Sequence, residues 1–144
     1  MLKGIDSLLG PEVLAVLAAM GHGDEVVIAD ANFPAAAVAA DTLHGQPVRM
    51  DCDAIRALRA VLSVLPLDGF EPDPVLTMQV VGEPEAVPPV VAEAAPLIAA
   101  EGFAPASLER FAFYARARRA FAVIHTREGR AYGNFILRKG VIFT

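Results

Sequence analysis

The spacing of apolar positions changes along the chain, and each change marks an element. Behind Gly10-Pro11, where proline suits the first turn of a helix, Val13, Leu14, Val16, Leu17 and Met20 recur at helical spacing, and Gly21 stands where a helix would stop. Glu25 to Ala29 is a continuous apolar run, too short for a helix and rich in β-branched residues, which predicts a strand buried on both faces with Asp30 at its exit. After a small-residue stretch and the turn Gly45-Gln46-Pro47, Val48-Arg49-Met50 reads as a short strand. Asp51 is placed to cap a helix carrying Ile55, Leu58, Leu62 and Leu65.

The second half repeats the alternation. Val75 to Val81 predicts a strand, and the proline-punctuated stretch Gly82 to Pro89 leads into a helix ending near Gly102. Ser107 is placed to cap a further helix running through Arg119. Ala120 to His125 and Tyr132 to Leu137 read as two strands joined through the turn Thr126-Arg127-Glu128-Gly129, a closing hairpin. Strands alternating with helices define an α/β fold with a mostly parallel sheet, and the closing hairpin makes that sheet mixed. The 144 residues, 55% apolar, suffice for one domain, residues 1–144, with a core of its own.

Charge and cysteine content narrow the function classes. The net charge of −5 is unevenly spread: residues 1–104 carry 4 basic and 15 acidic side chains, residues 105–144 carry 8 and 2. Such asymmetry fits ion pairing between two parts of a fold or between subunits better than nucleic-acid binding, because the chain as a whole is acidic and has no nucleic-acid motif. No stretch approaches the roughly 20 apolar residues of a membrane span, and no leader pattern opens the chain, so a cytoplasmic protein is expected. A lone Cys52 forms no intrachain disulfide and is read as packing. His22, His44 and His125 lack the spacing and thiol support of a zinc site, so no metal is expected. Phosphate loop, GxGxxG and nucleophile elbow are absent, which removes the usual positioning devices of nucleotide-dependent transfer and serine hydrolysis.

What remains is proton chemistry. His22 lies between Gly21 and Gly23, in a loop where small neighbours permit turns and close approach of a ligand, and histidine changes charge nearest neutral pH. Asp30 ends a strand, where open α/β sheets bind small molecules. With Arg110, Tyr132 and Asn134 these form a set of donors and acceptors suited to a polyhydroxylated ligand such as a monosaccharide. Each has a plainer alternative: His22 could cap the preceding helix, Asp30 the following turn, and Asn134 after Gly133 could occupy an unusual backbone angle. Phe111, Phe113 and Tyr114 read as packing, and Arg110 as a solvated or paired helix residue.

Several stretches resemble the fucose mutarotases, relatives of the D-ribose pyranases in the RbsD/FucU family. They are Met1-Leu2-Lys3-Gly4-Ile5, Ala19 to Glu25, Ala29 to Pro34, Arg110-Phe111-Ala112-Phe113-Tyr114, Tyr132-Gly133-Asn134 and Lys139-Gly140-Val141. The resemblance runs from end to end, with the middle of the chain, roughly 35 to 105, matching loosely and Ala115 standing where an acidic residue is expected. It implies a three-layer α/β/α fold and cofactor-independent interconversion of sugar anomers. It also implies His22 as general acid, and a sugar held by Asp30, Arg110, Tyr132, Gly133 and Asn134. Asp30 is further expected to orient or charge His22. The glycine of Tyr132-Gly133-Asn134 resembles the fucose branch, whereas the ribose branch tends to carry alanine there. D-ribose pyranase activity, or sugar binding without turnover in a transport accessory, are the alternatives. The 55% apolar content and mean hydropathy of +0.47 predict a closed homo-oligomer, and the resemblance implies a ring-based assembly of about ten subunits, a decamer, with sites near subunit boundaries.

Overall fold

The computed structural model describes residues 1–144. Their elements are α1 (Pro11–Ala19), β1 (Glu25–Ala29), α2 (Ala35–Ala39), β2 (Val48–Arg49), α3 (Ala54–Leu62), β3 (Val75–Met78), α4 (Pro89–Ala100), β4 (Ala106–Leu108), α5 (Arg110–Arg118), β5 (Ala122–His125) and β6 (Phe135–Arg138). The six strands form one sheet in the order β2-β5-β1-β6-β3-β4. β1 runs parallel to β5, β5 to β2 and β3 to β4, while β6 is antiparallel to both β1 and β3, so β6 alone is reversed. The sheet is mixed and mostly parallel.

β1 shows why the layers number three. Val26 and Ile28 join the core cluster shared with α1, α3 and α4, whereas Val27 packs into a second cluster with Val38 of α2 and Phe113 and Ala117 of α5. Successive side chains of a strand point to opposite faces, so a run apolar at every position demands cover on both sides. β6 obeys the same rule, with Phe135 and Leu137 on one face and Ile136 on the other.

The expected closing hairpin does not form, because β1 lies between β5 and β6. The segment between them crosses the end of β1 and is tied to it: Thr126 donates to the Ala29 carbonyl through its amide at 3.0 Å and its hydroxyl at 2.7 Å, and the Ala31 amide donates to the Glu128 carbonyl at 2.8 Å. Three helix ends also differ from expectation. Met20, in an extended conformation, closes α1 in place of Gly21, and the carboxylate that caps α3 belongs to Asp53, which accepts from the Arg56 amide at 2.7 Å, not to Asp51. Ser107 lies inside β4, paired with Thr77, and Glu109 caps α5 by accepting from the amides of Phe111 and Ala112. The small-residue stretch before Gly45 contains α2, whose Ala35, Val38 and Ala39 are buried. Helical propensity there is supplied by alanine and gives no amphipathic contrast to read.

Candidate functional site

Five strands run the same way and β6 runs against them, so one edge of the sheet gathers the exits of the parallel strands together with the entry to β6. This edge brings Asp30, at the exit of β1, beside Asn134, just before β6. Both are buried. The Asp30 amide donates to Asn134 Oδ1 at 2.8 Å, and Asn134 Nδ2 donates to Asp30 Oδ2 at 3.1 Å. Asp30 Oδ1 accepts from the Asn32 amide at 3.0 Å. Burial pushes the Asp30 carboxyl above the usual carboxylate range, against the hydrogen bonds from Asn32 and Asn134. Asp30 therefore does cap its turn, while remaining a carboxylate at the edge of the sheet where ligands bind.

Tyr132 takes the unusual backbone angle of this turn, φ +62°, and Asn134 does not. The Tyr132 hydroxyl accepts from the Val81 amide at 3.2 Å. Gly133 is required by packing: a Cβ there would stand 2.8 Å from Glu128 Cγ and 3.5 Å from Asp30 Cβ. Glu128 cannot readily yield. Its buried carboxylate accepts from the Ala54 amide and from the Arg130 amide, Nε and guanidinium, and Arg130 chiefly holds it at a pKa of about 2. Arg110 opens α5 with its guanidinium 4.6 Å from the Phe111 ring centre, and its Nε is buried without a hydrogen-bond partner. No hydrogen bond joins it to Asp30, Tyr132 or Asn134. Phe113 and Tyr114 pack beside Phe33, as expected, whereas Phe111 is exposed.

His22 lies at the other edge. Residues 25–29 of β1 separate it from Asp30 by roughly 17 Å of strand, at about 3.3 Å per residue. Asp30 therefore neither orients nor charges His22 within the chain; that expectation is corrected, and the carboxylate that meets the imidazole is Asp68. His22 Nε2 lies 3.2 Å from Asp68 Oδ1. The His22 side chain is 47% exposed and Asp68 is buried. The Phe70 amide, Arg138 and His22 itself hold the Asp68 carboxyl down at about 2; Arg138 Nε donates to its Oδ2 at 2.8 Å. The pair opens on a cavity of about 360 Å³ lined also by Glu25, Phe70, Glu71 and Arg116. Phe70 stacks at a tilt on the imidazole, 5.1 Å between ring centres. His22 does not cap α1, since Lys139 occupies those carbonyls. Asp68 was missed by sequence reading; its only local sign is the turn Pro66-Leu67-Asp68-Gly69, and its partner is 46 residues away.

The basic C-terminal part is spent largely on pairing: Arg116 with Glu25, Arg130 with Glu93 and Glu128, Arg138 with Asp68. No helix is long and apolar enough to cross a membrane.

The three-layer α/β fold thus carries an imidazole-carboxylate pair at one sheet edge and a buried acid-amide pair at the other. Residues 3–142 match the RbsD / FucU transport protein family, and the chain belongs to it. It is 44% identical to the fucose mutarotase of Homo sapiens over 98% of this chain and 94% of that one. Identity to the L-fucose mutarotase of Haemophilus influenzae is 45% over 98% and 97%. The structure of the fucose mutarotase of Streptococcus pneumoniae in complex with L-fucose superimposes with a TM-score of 0.88 at 34% identity, covering 99% of this chain and all of that one.

Proposed function

We propose that the protein is an L-fucose mutarotase whose active sites form between two copies of the chain. Exchanging α and β anomers requires opening the pyranose to an aldehyde, rotating about C1 and closing on the other face. A proton must reach the ring oxygen and another must leave the anomeric hydroxyl, with no redox step and no leaving group. General acid-base groups accelerate such transfers by about 10²–10⁴-fold. His22 supplies the ring-oxygen proton. Asp68 engages Nε2, which leaves Nδ1 for the sugar. Asp30, Arg110, Tyr132 and Asn134 hold the hydroxyls, with Gly133 giving the turn its room.

One observation carries the two-copy reading: the acid and the sugar-holding residues occupy opposite edges of the sheet, so neither edge of one chain contains the whole set. A second copy brought edge to edge completes it. Exposed Phe70 and Phe143, 6.4 Å apart beside His22, supply apolar surface for that meeting. Head-to-tail contacts of this kind build rings where the rotation closes, in keeping with the ring-based assembly of about ten subunits that the family resemblance implies. The free thiol of Cys52 suits a cytoplasmic setting.

Saturation-transfer NMR of anomeric exchange tests both parts. L-Fucose should exchange faster than D-ribose, D-galactose and D-glucose, and a clear ribose preference would move the chain to the pyranase branch. Binding without exchange would make it a sugar-binding accessory. His22→Gln should fold and lose exchange by about 10²-fold or more. Mixing His22→Gln with Tyr132→Phe subunits should recover about a quarter of wild-type exchange, since two intact halves then meet at one interface in four. No recovery after verified subunit exchange would place the site within one chain.

A further inference from the structure

We infer that Lys139 is a positioning residue that sets His22 against Asp68. The segment Arg138-Lys139-Gly140 leaves β6 between the two loops that carry this pair and is bonded to both. On the histidine side, Lys139 Nζ donates to the carbonyls of Leu17 at 2.8 Å and Met20 at 2.6 Å. Its own carbonyl accepts from the Gly23 amide at 2.9 Å, and its amide donates to the Asp24 carbonyl at 2.9 Å. His22 is thus gripped on both flanks by one residue. On the carboxylate side, the Arg138 carbonyl accepts from the Asp68 amide at 3.0 Å and the Gly140 amide donates to the Pro66 carbonyl at 2.8 Å. Gly140 lets the strands of chain touch: a Cβ there would lie 2.5 Å from the Leu67 carbonyl oxygen.

The ammonium matters because the only other provision at the end of α1 is the Met20 amide, which donates to the Val16 carbonyl at 3.1 Å. The helix has no basic residue in its last turn, and Met20 leaves it in an extended conformation, so the carbonyls of Leu17 and Met20 depend on a donor from elsewhere in the chain. A lysine held there neutralises the negative end of the helix and fixes the direction in which the chain enters Gly21 and His22. Asp24 Oδ2 closes the loop by accepting from the Gly21 amide at 2.7 Å. The 3.2 Å separation of His22 and Asp68 is therefore the sum of two short tethers to one segment.

This inference rests on His22 as the proton donor, and the test separates the two. Lys139→Met keeps the apolar stem and removes the donors; Lys139→Arg restores donors. Crystal structures and exchange kinetics are read together. In Lys139→Met, His22 should leave hydrogen-bonding distance of Asp68 and kcat should fall about tenfold or more, as sub-ångström to ångström displacements of catalytic groups do, while KM moves less than about twofold. Lys139→Arg should recover most of kcat. Either an unmoved His22–Asp68 pair or an unchanged kcat in Lys139→Met overturns the inference. Should that variant fail to fold, Lys139→Gln, which keeps one donor for the α1 carbonyls, carries the same readouts with a smaller loss. Failure of the proton-donor reading would show separately, as wild-type-like exchange in His22→Gln.

Discussion

Exchanging the side chains of Asp30 and Asn134 isolates the pair on which the edge proposed to hold the sugar is built. In Asp30→Asn, the new Oδ1 can still accept from the Asn32 amide, but the new Nδ2 then faces Asn134 Nδ2, donor against donor. Turning Asn134 over only moves the conflict, because its Oδ1 is already claimed by the residue 30 amide at 2.8 Å. One buried group is left unpaired, at about 1–3 kcal/mol. In Asn134→Asp two buried carboxylates meet at the position of a 3.1 Å contact, so one must take a proton or the pair must open, at a similar or larger cost. The double swap restores the three bonds that join residues 30, 32 and 134. The backbone amide and the new side-chain amide of residue 30 both donate to the carboxylate now carried by residue 134, and the Asn32 amide still donates to the side-chain oxygen of residue 30.

The expectation is therefore strong coupling. Each single variant should lower the thermal midpoint by roughly 2–4 °C per kcal/mol lost, and the double variant should return most of that loss, a coupling of about 2 kcal/mol. Unfolding is measured at one fixed protein concentration, because assembly shifts the midpoint by mass action. Exchange is followed by NMR on the same samples. The swap should restore stability without restoring full exchange, since the charge has moved by a side-chain length relative to the sugar. Additive losses, within about 0.5 kcal/mol, would refute the hydrogen-bond assignment.

Gly133→Ala should destabilise by about 1–3 kcal/mol through overpacking against Glu128, less the ~1 kcal/mol or smaller gain from a stiffer unfolded chain, and a neutral result in chemical denaturation would deny the contact. Asp68 and Glu128 have folded pKa values depressed to about 2 from 3.8 and 4.5, so the stability they contribute is present above those ordinary values and is lost as pH falls towards 2. Asp30, raised, opposes this by taking its proton earlier in the folded state. Denaturant midpoints measured across that window should fall, less steeply in Glu128→Gln, and a flat profile would contradict the pairing. Anomer exchange should survive exhaustive chelation; loss restored by one divalent metal would overturn the cofactor-free scheme.

Period and composition along the chain determined the layering of this protein. A strand apolar at every position from Val26 to Ala29 needs helices on both faces, and its exit residue Asp30 must lie at a sheet edge, so both were legible from local spacing. The motif residues Asp30, Tyr132 and Asn134 were legible too, and tertiary structure joins two of them directly. Pairing was not legible, because hydrogen bonds between strands leave no trace in the sequence of either. β6 chooses β1 and β3 over its neighbour in sequence, β5, and only the loop tied across the end of β1 explains how. The same limit hid Asp68 and Lys139. Each acts on the loop of His22 from a distant part of the chain, through contacts created by the return of one reversed strand between two parallel ones. His22 and Asp30 stand eight residues apart in sequence and at opposite edges of the sheet, because an extended strand carries its two ends as far apart as the chain allows.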